Sequence, residues 1–182
     1  LKELVERGLR FADGLLVVID GGKGLHKAVA KVFASAAFIQ RCQWHKRENI
    51  VAYLPKTQQP TWRRKLERAY AKPTYKDAKA ALATLRRELV TLNESAALSL
   101  DEGLEETLTL HKLGVIATLG ISLRTTNSIE SINSLIEQRT GKVDYWKTSN
   151  QRQGCLATAL LDIEARLRRI KGCQHLPLLR QA

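Results

Sequence analysis

The sequence contains no methionine, and aromatic residues make up only 5% of its 182 residues. A chain without methionine lacks a start residue, so we expect it to be a processed product or, more simply, part of a longer protein. The three cysteines are an odd number at wide separations, which argues against a disulfide framework and favours a reducing cytosol. No apolar run approaches the roughly 18 residues that span a bilayer, and the N-terminal segment lacks the apolar region of a signal peptide.

Two common nucleotide-binding motifs are also missing. The run Gly21-Gly22-Lys23-Gly24 has neither the spacing of a Walker loop nor that of a Gly-x-Gly-x-x-Gly turn. Binding of ATP or of a dinucleotide therefore loses its main support.

Positive charge is what the sequence has in excess. The formal net charge is +12, which predicts attraction to polyanions, with nucleic acid the commonest such partner and a membrane surface the competitor. Basic clusters occur at residues 63–65, 86–87 and 166–171. Each cluster alone is more often a solvated helix face than a binding site, but together they favour phosphate contacts somewhere on the surface.

Hydrophobic spacing predicts an α/β start followed only by helices. The first forty residues indicate helix, strand, helix and strand, which is typical of a parallel sheet. These predicted segments are helices at 1–9 and 25–33 and strands at 15–20 and 36–42. Later segments are helices at 45–54, 61–92 with a break at Pro73, 100–110, 127–138 and 153–170, and an apolar loop at 114–123. We find no strand between residues 54 and 113, so this block looks like a helical insertion.

Asp20 follows an apolar run, Leu15–Ile19, whose composition suits a strand buried on both faces. The residue therefore falls at the C-terminal end of a strand, where open α/β sheets place their ligands. A carboxylate there must be solvated, hydrogen-bonded or bound to a cation. The simpler interpretation is that Asp20 shapes the turn or caps the next helix.

Glu130 lies three residues after Asn127, and this spacing forms a capping box at the start of a helix. Helix capping alone would explain why Asn127 and Glu130 occur at these positions. The functional alternative is that Glu130 projects toward Asp20, where two carboxylates would form an oxygen-rich site for Mg²⁺ or Mn²⁺.

Cys42 and His45 form a Cys-x-x-His pair that supplies two of the four ligands of a structural zinc. Cys173 and His175 are poorly spaced as the other two, so we favour a strand end at Cys42 and a hydrogen-bonded imidazole near the carboxylates. Trp146, between Tyr145 and Lys147, could stack on an unpaired base, although core packing is the more common role.

Three stretches together resemble the Mutator-type transposases of bacterial insertion sequences. They are Ile19–Leu25, Gln40–Arg47 and Thr125–Ser131, and the likeness extends in the same order to Leu54-Pro55, Glu102–Leu108 and Arg168–Gly172. The resemblance implies an RNase H-like core, interrupted by a large helical insertion and predominantly helical overall. The implied segments are 1–54 for the first part of the core, 55–113 for the insertion and 114–182 for the last part of the core with the C-terminal helix.

The same resemblance implies a DDE-type enzyme, which acts through two aspartates and one glutamate on Mg²⁺ or Mn²⁺. Asp20 matches the second aspartate and Glu130 the glutamate, whereas no residue matches the first aspartate. We therefore expect this chain to be the C-terminal part of the enzyme and inactive alone. Supporting roles fall to Cys42, His45, Asn127 and Arg139; Arg139 replaces a basic residue whose family position is Glu137 here.

DNA, both the insertion-sequence ends and the target, is the partner that the resemblance implies. The residues expected to contact it are Lys23, Lys46, Arg47 and Trp146. The implied setting is the bacterial cytoplasm, in association with the nucleoid and without a membrane, and the full-length enzyme is expected to be a homo-oligomer.

Two other function classes stay open. A non-catalytic nucleic-acid-binding module, a degenerate transposase remnant, would use only the basic helices, with strong salt dependence and no need for Asp20. A general metal-dependent nuclease would need another carboxylate beside Asp20, and only Asp13 and Asp144 are candidates.

Overall fold

The computed structural model describes residues 1–182 and is mostly helical, with one small sheet. The elements in chain order are α1 (Lys2–Glu6), β1 (Leu15–Ile19), α2 (Lys23–Phe33), β2 (Ala37–Arg41), α3 (Gln43–Val51), α4 (Gln59–Tyr70), α5 (Tyr75–Leu92), α6 (Glu94–Asp101), α7 (Leu104–Thr107), α8 (Thr109–Lys112), α9 (Ile116–Leu123), α10 (Asn127–Thr140), α11 (Ser149–Glu164) and α12 (Leu176–Gln181). Short 3₁₀ helices lie at Ala34–Ala36 and Cys173–His175. None of the helices is long and apolar enough to cross a membrane.

The sheet has two parallel strands joined through α2. Strand β1 pairs with β2 in a register that runs from Leu15 opposite Ala37 to Ile19 opposite Arg41. A parallel pair needs a crossover connection, which α2 supplies. The α/β start predicted from hydrophobic spacing is therefore confirmed, and so is the predominance of helix.

Helices α3 to α6 build the larger hydrophobic core. Their apolar faces meet in one cluster, whose fully buried members include Ile50, Leu66, Leu82, Leu89 and Leu100. Helix α5 begins where the Thr74 hydroxyl accepts a hydrogen bond from the Asp77 amide at 3.1 Å, just after the break at Pro73. No strand occurs between residues 54 and 113, as predicted.

Three predicted segments are wrong. The helix expected at 100–110 is divided into α6, α7 and α8: Gly103, with a left-handed φ of +66°, separates α6 from α7, and Leu108, with a φ of −107° and a ψ of 11°, separates α7 from α8. The apolar loop expected at 114–123 contains helix α9. The last long helix ends at Glu164, so the basic residues 166–171 are not helical. Other ends differ little, although α1 ends at Glu6 rather than at residue 9.

The chain forms two compact units. The first comprises Leu1–Thr126 and Gly172–Ala182, and the second comprises Asn127–Lys171. Within the second unit, α10 packs against α11, whose first turn is capped by the Thr148 hydroxyl, which accepts from the Gln151 amide at 3.1 Å. The three-segment division at residues 54 and 113 stays a prediction.

Gln40, the penultimate residue of β2, fastens the sheet to the helical block. Its buried amide nitrogen donates to the Thr107 carbonyl at 3.0 Å, and its amide oxygen accepts from the Leu110 amide at 3.0 Å. The Leu110 amide lies in the first turn of α8, where a helix offers it no acceptor of its own. Gln43 adds a second donor to the Thr107 carbonyl at 2.9 Å.

Gln40→Leu is expected to lower the free energy of unfolding by about 2 kcal/mol, because it leaves the buried Leu110 amide without an acceptor. Urea unfolding of the purified chain measures this change. Gln153→Leu, on the exposed part of α11, is the control and should change stability by less than about 0.5 kcal/mol. Equal losses in the two variants would contradict the assigned role of Gln40.

Candidate active site

Asp20 directly follows β1, and its carboxylate is exposed. One carboxylate oxygen, Oδ1, accepts a hydrogen bond from the Gly22 amide at 2.9 Å, and the side chain forms no ion pair. This bond shapes the turn, as the simpler interpretation of the sequence requires, and Asp20 does not cap α2 because the N-cap position belongs to Gly22. The other carboxylate oxygen remains available to a ligand from the solvent side.

Arg41 is packed under the Asp20 turn. Its side chain is 8% exposed and lies between the backbones of Gly21 and Gly103. A methyl group on Gly21 would lie 2.5 Å from Arg41 Nε, and one on Gly103 would overlap Arg41 Nη1. Both glycines have positive φ, +99° and +66°. The Arg41 guanidinium therefore leaves room only for glycine at two positions. They are Gly21, in the turn after Asp20, and Gly103, between α6 and α7.

Glu102 holds Arg41 and Lys46 together; these three residues are called the Arg41 cluster below. Arg41 Nη2 and Lys46 Nζ lie 3.3 Å and 3.5 Å from the Glu102 carboxylate, and the Lys46 side chain is completely buried. Burial, and then the charge of Arg41, lower the pKa of Lys46 to about 8, although Glu102 acts in the opposite direction. Partial burial raises the pKa of Glu102, but the charges of Arg41 and Lys46 outweigh it and keep that pKa below its ordinary value.

Cys42 and His45 lie together at the start of α3. Cys42 is fully buried, and its Sγ lies 3.2 Å from His45 Nδ1. The Thr126 hydroxyl lies 3.4 Å from that sulfur and 3.3 Å from the same ring nitrogen, and the Gln43 amide donates to the Arg124 carbonyl at 2.9 Å. These contacts fasten the segment that leads into α10. A thiol and a hydroxyl are thus neighbours of the imidazole, and its proximity to the carboxylates stays a prediction.

Glu130, Asn127, Arg139 and Trp146 all belong to the second unit. Helix α10 begins at Asn127, and Glu130 is exposed in its first turn. Arg139 Nε donates to Asp162 on α11 at 2.8 Å. Trp146 is half-buried and lines a small cleft with Ile136, Thr140, Arg152 and Leu156. Asp20 and Glu130 lie in different units, so their convergence on one cation stays a prediction.

The predicted DNA contacts differ in their accessibility. Lys23 is exposed and without an ion pair, whereas Arg47 is 18% exposed and lies 3.0 Å from Glu48 and 3.8 Å from Glu67. Lys46 is interior, so this side chain offers no direct surface contact to a phosphate in this structure. Nothing in the sequence around Lys46 indicates that this lysine is buried.

Asp20 and Glu130, the two carboxylates that we predicted as ligands of a divalent cation, are both exposed. Carboxylate oxygens suit Mg²⁺ or Mn²⁺ rather than softer metals. No group of three or more His, Cys, Asp or Glu side chains that could hold a metal occurs among residues 1–182. In particular, Cys42 and His45 are not joined by Cys173 and His175 in such a group.

Sequence reasoning gave no role to Arg41 or Glu102, although both lie in stretches that carry the family resemblance. A second pair was also missed, since His26 Nε2 lies 2.7 Å from Glu106 Oε1 and joins α2 to α7. The one available signal was Gly103, because a glycine inside a helical pattern often marks a close approach of another group.

Known proteins match this chain over most of its length. Residues 1–164 match the family described as "Transposase, Mutator family". The transposase for insertion sequence element IS6120 of Mycolicibacterium smegmatis is 30% identical over 182 residues, which are 100% of this chain and 54% of that protein. The transposase for IST2 of Acidithiobacillus ferrooxidans is 31% identical over 140 residues, 77% of this chain and 46% of that protein.

A further relative is the transposase for IS256 in transposon Tn4001 of Staphylococcus aureus, which is 26% identical over 162 residues, 88% of this chain and 40% of that protein. The chain spans about half the length of the curated relatives it matches. Because the family match covers residues 1–164 of 182, this chain belongs to the Mutator family of transposases.

Proposed function

We propose that this chain is part of a DDE-type transposase that cleaves and joins DNA at the ends of an insertion sequence by Mg²⁺- or Mn²⁺-dependent phosphoryl transfer. The observation that carries the proposal is Asp20, an exposed carboxylate at the end of a parallel strand with a single hydrogen bond to its own turn. Family membership supports the transposase role, and the net charge of +12 supports DNA as the partner.

An RNase H-like core is the architecture that we propose around this residue. The parallel β1–α2–β2 unit and the helical block that follows it are compatible with such a core interrupted by an insertion. The roles of the two carboxylates then follow from their chemistry. Asp20 would supply an oxygen ligand from the sheet, and Glu130 would supply another from the first turn of α10.

The divalent ion, when bound, would lower the pKa of a water molecule or of a DNA 3′-hydroxyl and stabilise the leaving oxygen. The turn after β1 orients the Asp20 carboxylate. The Gly22 amide holds one oxygen of Asp20. Cys42, His45 and Thr126 contact one another in the first unit, just before α10 begins. This chain matches two of the three carboxylates of the family, so we propose that it neither cleaves nor joins DNA alone.

In the full-length enzyme we propose a homo-oligomer that acts on insertion-sequence ends and on target DNA, in a bacterial cytoplasm and close to the nucleoid. Lys23, Arg47 and Trp146 are the proposed direct contacts to DNA. Of these, Trp146 is placed beside Arg152 in a cleft that is open to solvent, which suits stacking on a base.

Iron-directed cleavage of the polypeptide tests the metal site without knowledge of the DNA ends. Fe²⁺ can replace Mg²⁺ at an oxygen-rich site, and with ascorbate and peroxide it cuts the chain close to where it is bound. We expect two cuts, near residue 20 and near residue 130, and both should weaken as Mg²⁺ is added. Gel electrophoresis and mass spectrometry of the fragments locate the cuts.

Asp20→Asn removes an oxygen ligand with little change in size, so both cuts should disappear together. Asp13→Asn is the matched control, because Asp13 is also exposed and precedes the same strand. The proposal fails if the cut near residue 130 persists in Asp20→Asn, since the two carboxylates would then not share an ion. DNA binding that is indifferent to Asp20→Asn, with no iron cuts at all, would favour the non-catalytic binding module.

A further inference from the structure

A small cleft opens beside the turn that follows β1; it is called the α2 cleft below. Its volume is about 270 Å³, and the charged or titratable side chains around it are Lys23, His26, Lys27, Arg41, Glu102 and Glu106. Lys23 and Lys27 lie one turn apart on α2, both exposed, and neither forms an ion pair. Two free cations therefore flank an opening large enough for one phosphate group.

The wall of the α2 cleft carries positive charge that the protein does not balance. In the Arg41 cluster, two buried cations share the single carboxylate of Glu102. Arg41 Nε is buried without a hydrogen-bond partner, and Lys46 Nζ has only the Glu102 carboxylate, at 3.5 Å. Buried charges are normally paired and hydrogen-bonded, so this cluster is short of one anion.

The two carboxylates at the α2 cleft do not supply that anion. Glu102 already serves both Arg41 and Lys46, and Glu106 Oε1 lies 2.7 Å from His26 Nε2. The N-terminus of α2 faces the same region with no side-chain cap and no acidic residue in its first turn, and the Asp20 carboxylate binds only the amide of the N-cap residue, Gly22. Its first amides have no partner within the helix, and such amides attract negative charge.

We propose that the α2 cleft binds one phosphate group of the DNA backbone. The identification of the phosphate as that of DNA rests on the proposed transposase function. Lys23 and Lys27 contact the phosphate from the rim, and the Arg41 cluster supplies the excess charge behind it. The turn of Asp20 is thereby joined to a backbone contact through Gly21, which packs on Arg41.

The first test is the salt dependence of DNA binding by this chain in EDTA, followed by the fluorescence anisotropy of a labelled duplex. Removing one phosphate contact reduces the slope of log affinity against log salt by about 0.9 and weakens binding about eightfold at 0.1 M salt. We expect this change for Lys27→Gln and for Lys23→Gln. Lys31→Gln, one turn further along α2 and exposed, is the matched control and should keep at least half of the wild-type affinity.

The second test uses inorganic phosphate as the probe. Phosphate should raise the unfolding temperature of this chain above that in chloride of equal ionic strength, and Lys23→Gln/Lys27→Gln should abolish the difference. Equal losses of DNA affinity in Lys27→Gln and Lys31→Gln would overturn the proposal, because the contact would be general surface attraction. Stabilisation by phosphate without any loss of DNA affinity in Lys27→Gln would overturn the assignment to DNA.

These measurements are separate from the test of the metal site. Both are made without a divalent ion, so an absence of iron cuts at Asp20 would leave the phosphate result standing. A loss of the phosphate effect would in turn leave the iron cuts unchanged.

Discussion

Gly103→Ala is expected to lower the free energy of unfolding by about 3 kcal/mol, the sum of about 1 kcal/mol for a left-handed alanine and about 2 kcal/mol for overpacking. The added methyl group would overlap Arg41 Nη1 and would lie 3.1 Å from Arg41 Cδ. The guanidinium cannot swing away cheaply, because it is buried, ion-paired with Glu102 and bounded on its other side by Gly21. Urea unfolding of the chain measures the loss.

Gly114→Ala is a closely matched control for this substitution. Gly114 has a φ of +67°, nearly the same as the +66° of Gly103, but no atom lies within 4 Å of the position of its added methyl group. This control should lose only the backbone contribution, about 1 kcal/mol. Equal losses at the two glycines would show that Arg41 yields freely and does not constrain the break between α6 and α7.

Lys46→Met is expected to raise the free energy of unfolding by about 2 kcal/mol at pH 7, since replacing a buried charge by an apolar side chain of similar volume is often stabilising. Arg41 and Glu102 remain as a pair in this variant, so no buried charge loses its only partner. Lys31→Met, at an exposed position of α2, controls for the general effect of a new apolar residue.

The pH dependence of the same variant gives a sharper result. Burial lowers the pKa of Lys46 to about 8, whereas an unfolded chain has a lysine pKa near 10.4. Between these values the unfolded state binds more protons, so the stability of the wild-type chain rises with pH by up to about 3 kcal/mol. Below pH 8 the cost of the buried charge is fully present, and above about pH 10.5 it is gone.

The advantage of Lys46→Met should therefore be greatest below pH 8 and should vanish toward pH 10.5. Burial raises the pKa of Tyr70 to about 12. Tyr70 is present in both the wild-type chain and Lys46→Met, so the difference between their free energies of unfolding reports on Lys46. A variant that is less stable than wild type at pH 7 would show that the Lys46–Glu102 pair is favourable as a whole and would remove the argument for unbalanced charge.

The parts of the fold that sequence reasoning predicted are those in which one local pattern dominates. The apolar run of β1 and the threonine-capped helix after Pro73 both have strong signals within a few residues. Helix α9 contains no charged residue and only two polar ones, Thr118 and Ser122, so its sequence looks like an apolar loop. Leu167 and Ile170 continue the spacing of α11 beyond its true end, where like charges at 166–171 disfavour a helix.

The candidate site divides in the same way. Asp20 was identified because it directly follows an unbroken apolar run and precedes a glycine turn, which places it at the end of a strand. Arg41 and Glu102 were not, because their importance depends on a contact across 61 residues of chain that only the folded structure provides. A helical spacing that continues through Leu100, Leu104 and Leu108 concealed the break at Gly103 as well.

The bonds between the sheet and the segment around Gly103 have a consequence for how this chain can be shortened. Removing the helices between α3 and α8 would remove three contacts together. Gln40 would lose the Thr107 carbonyl, Arg41 would lose its packing against Gly103, and Lys46 would lose the Glu102 carboxylate. A minimal version of the core must therefore keep residues 102–110 or recreate their carbonyl, carboxylate and glycine. Strand β2 and residues 102–110 are therefore held together by direct contacts that neither part keeps alone.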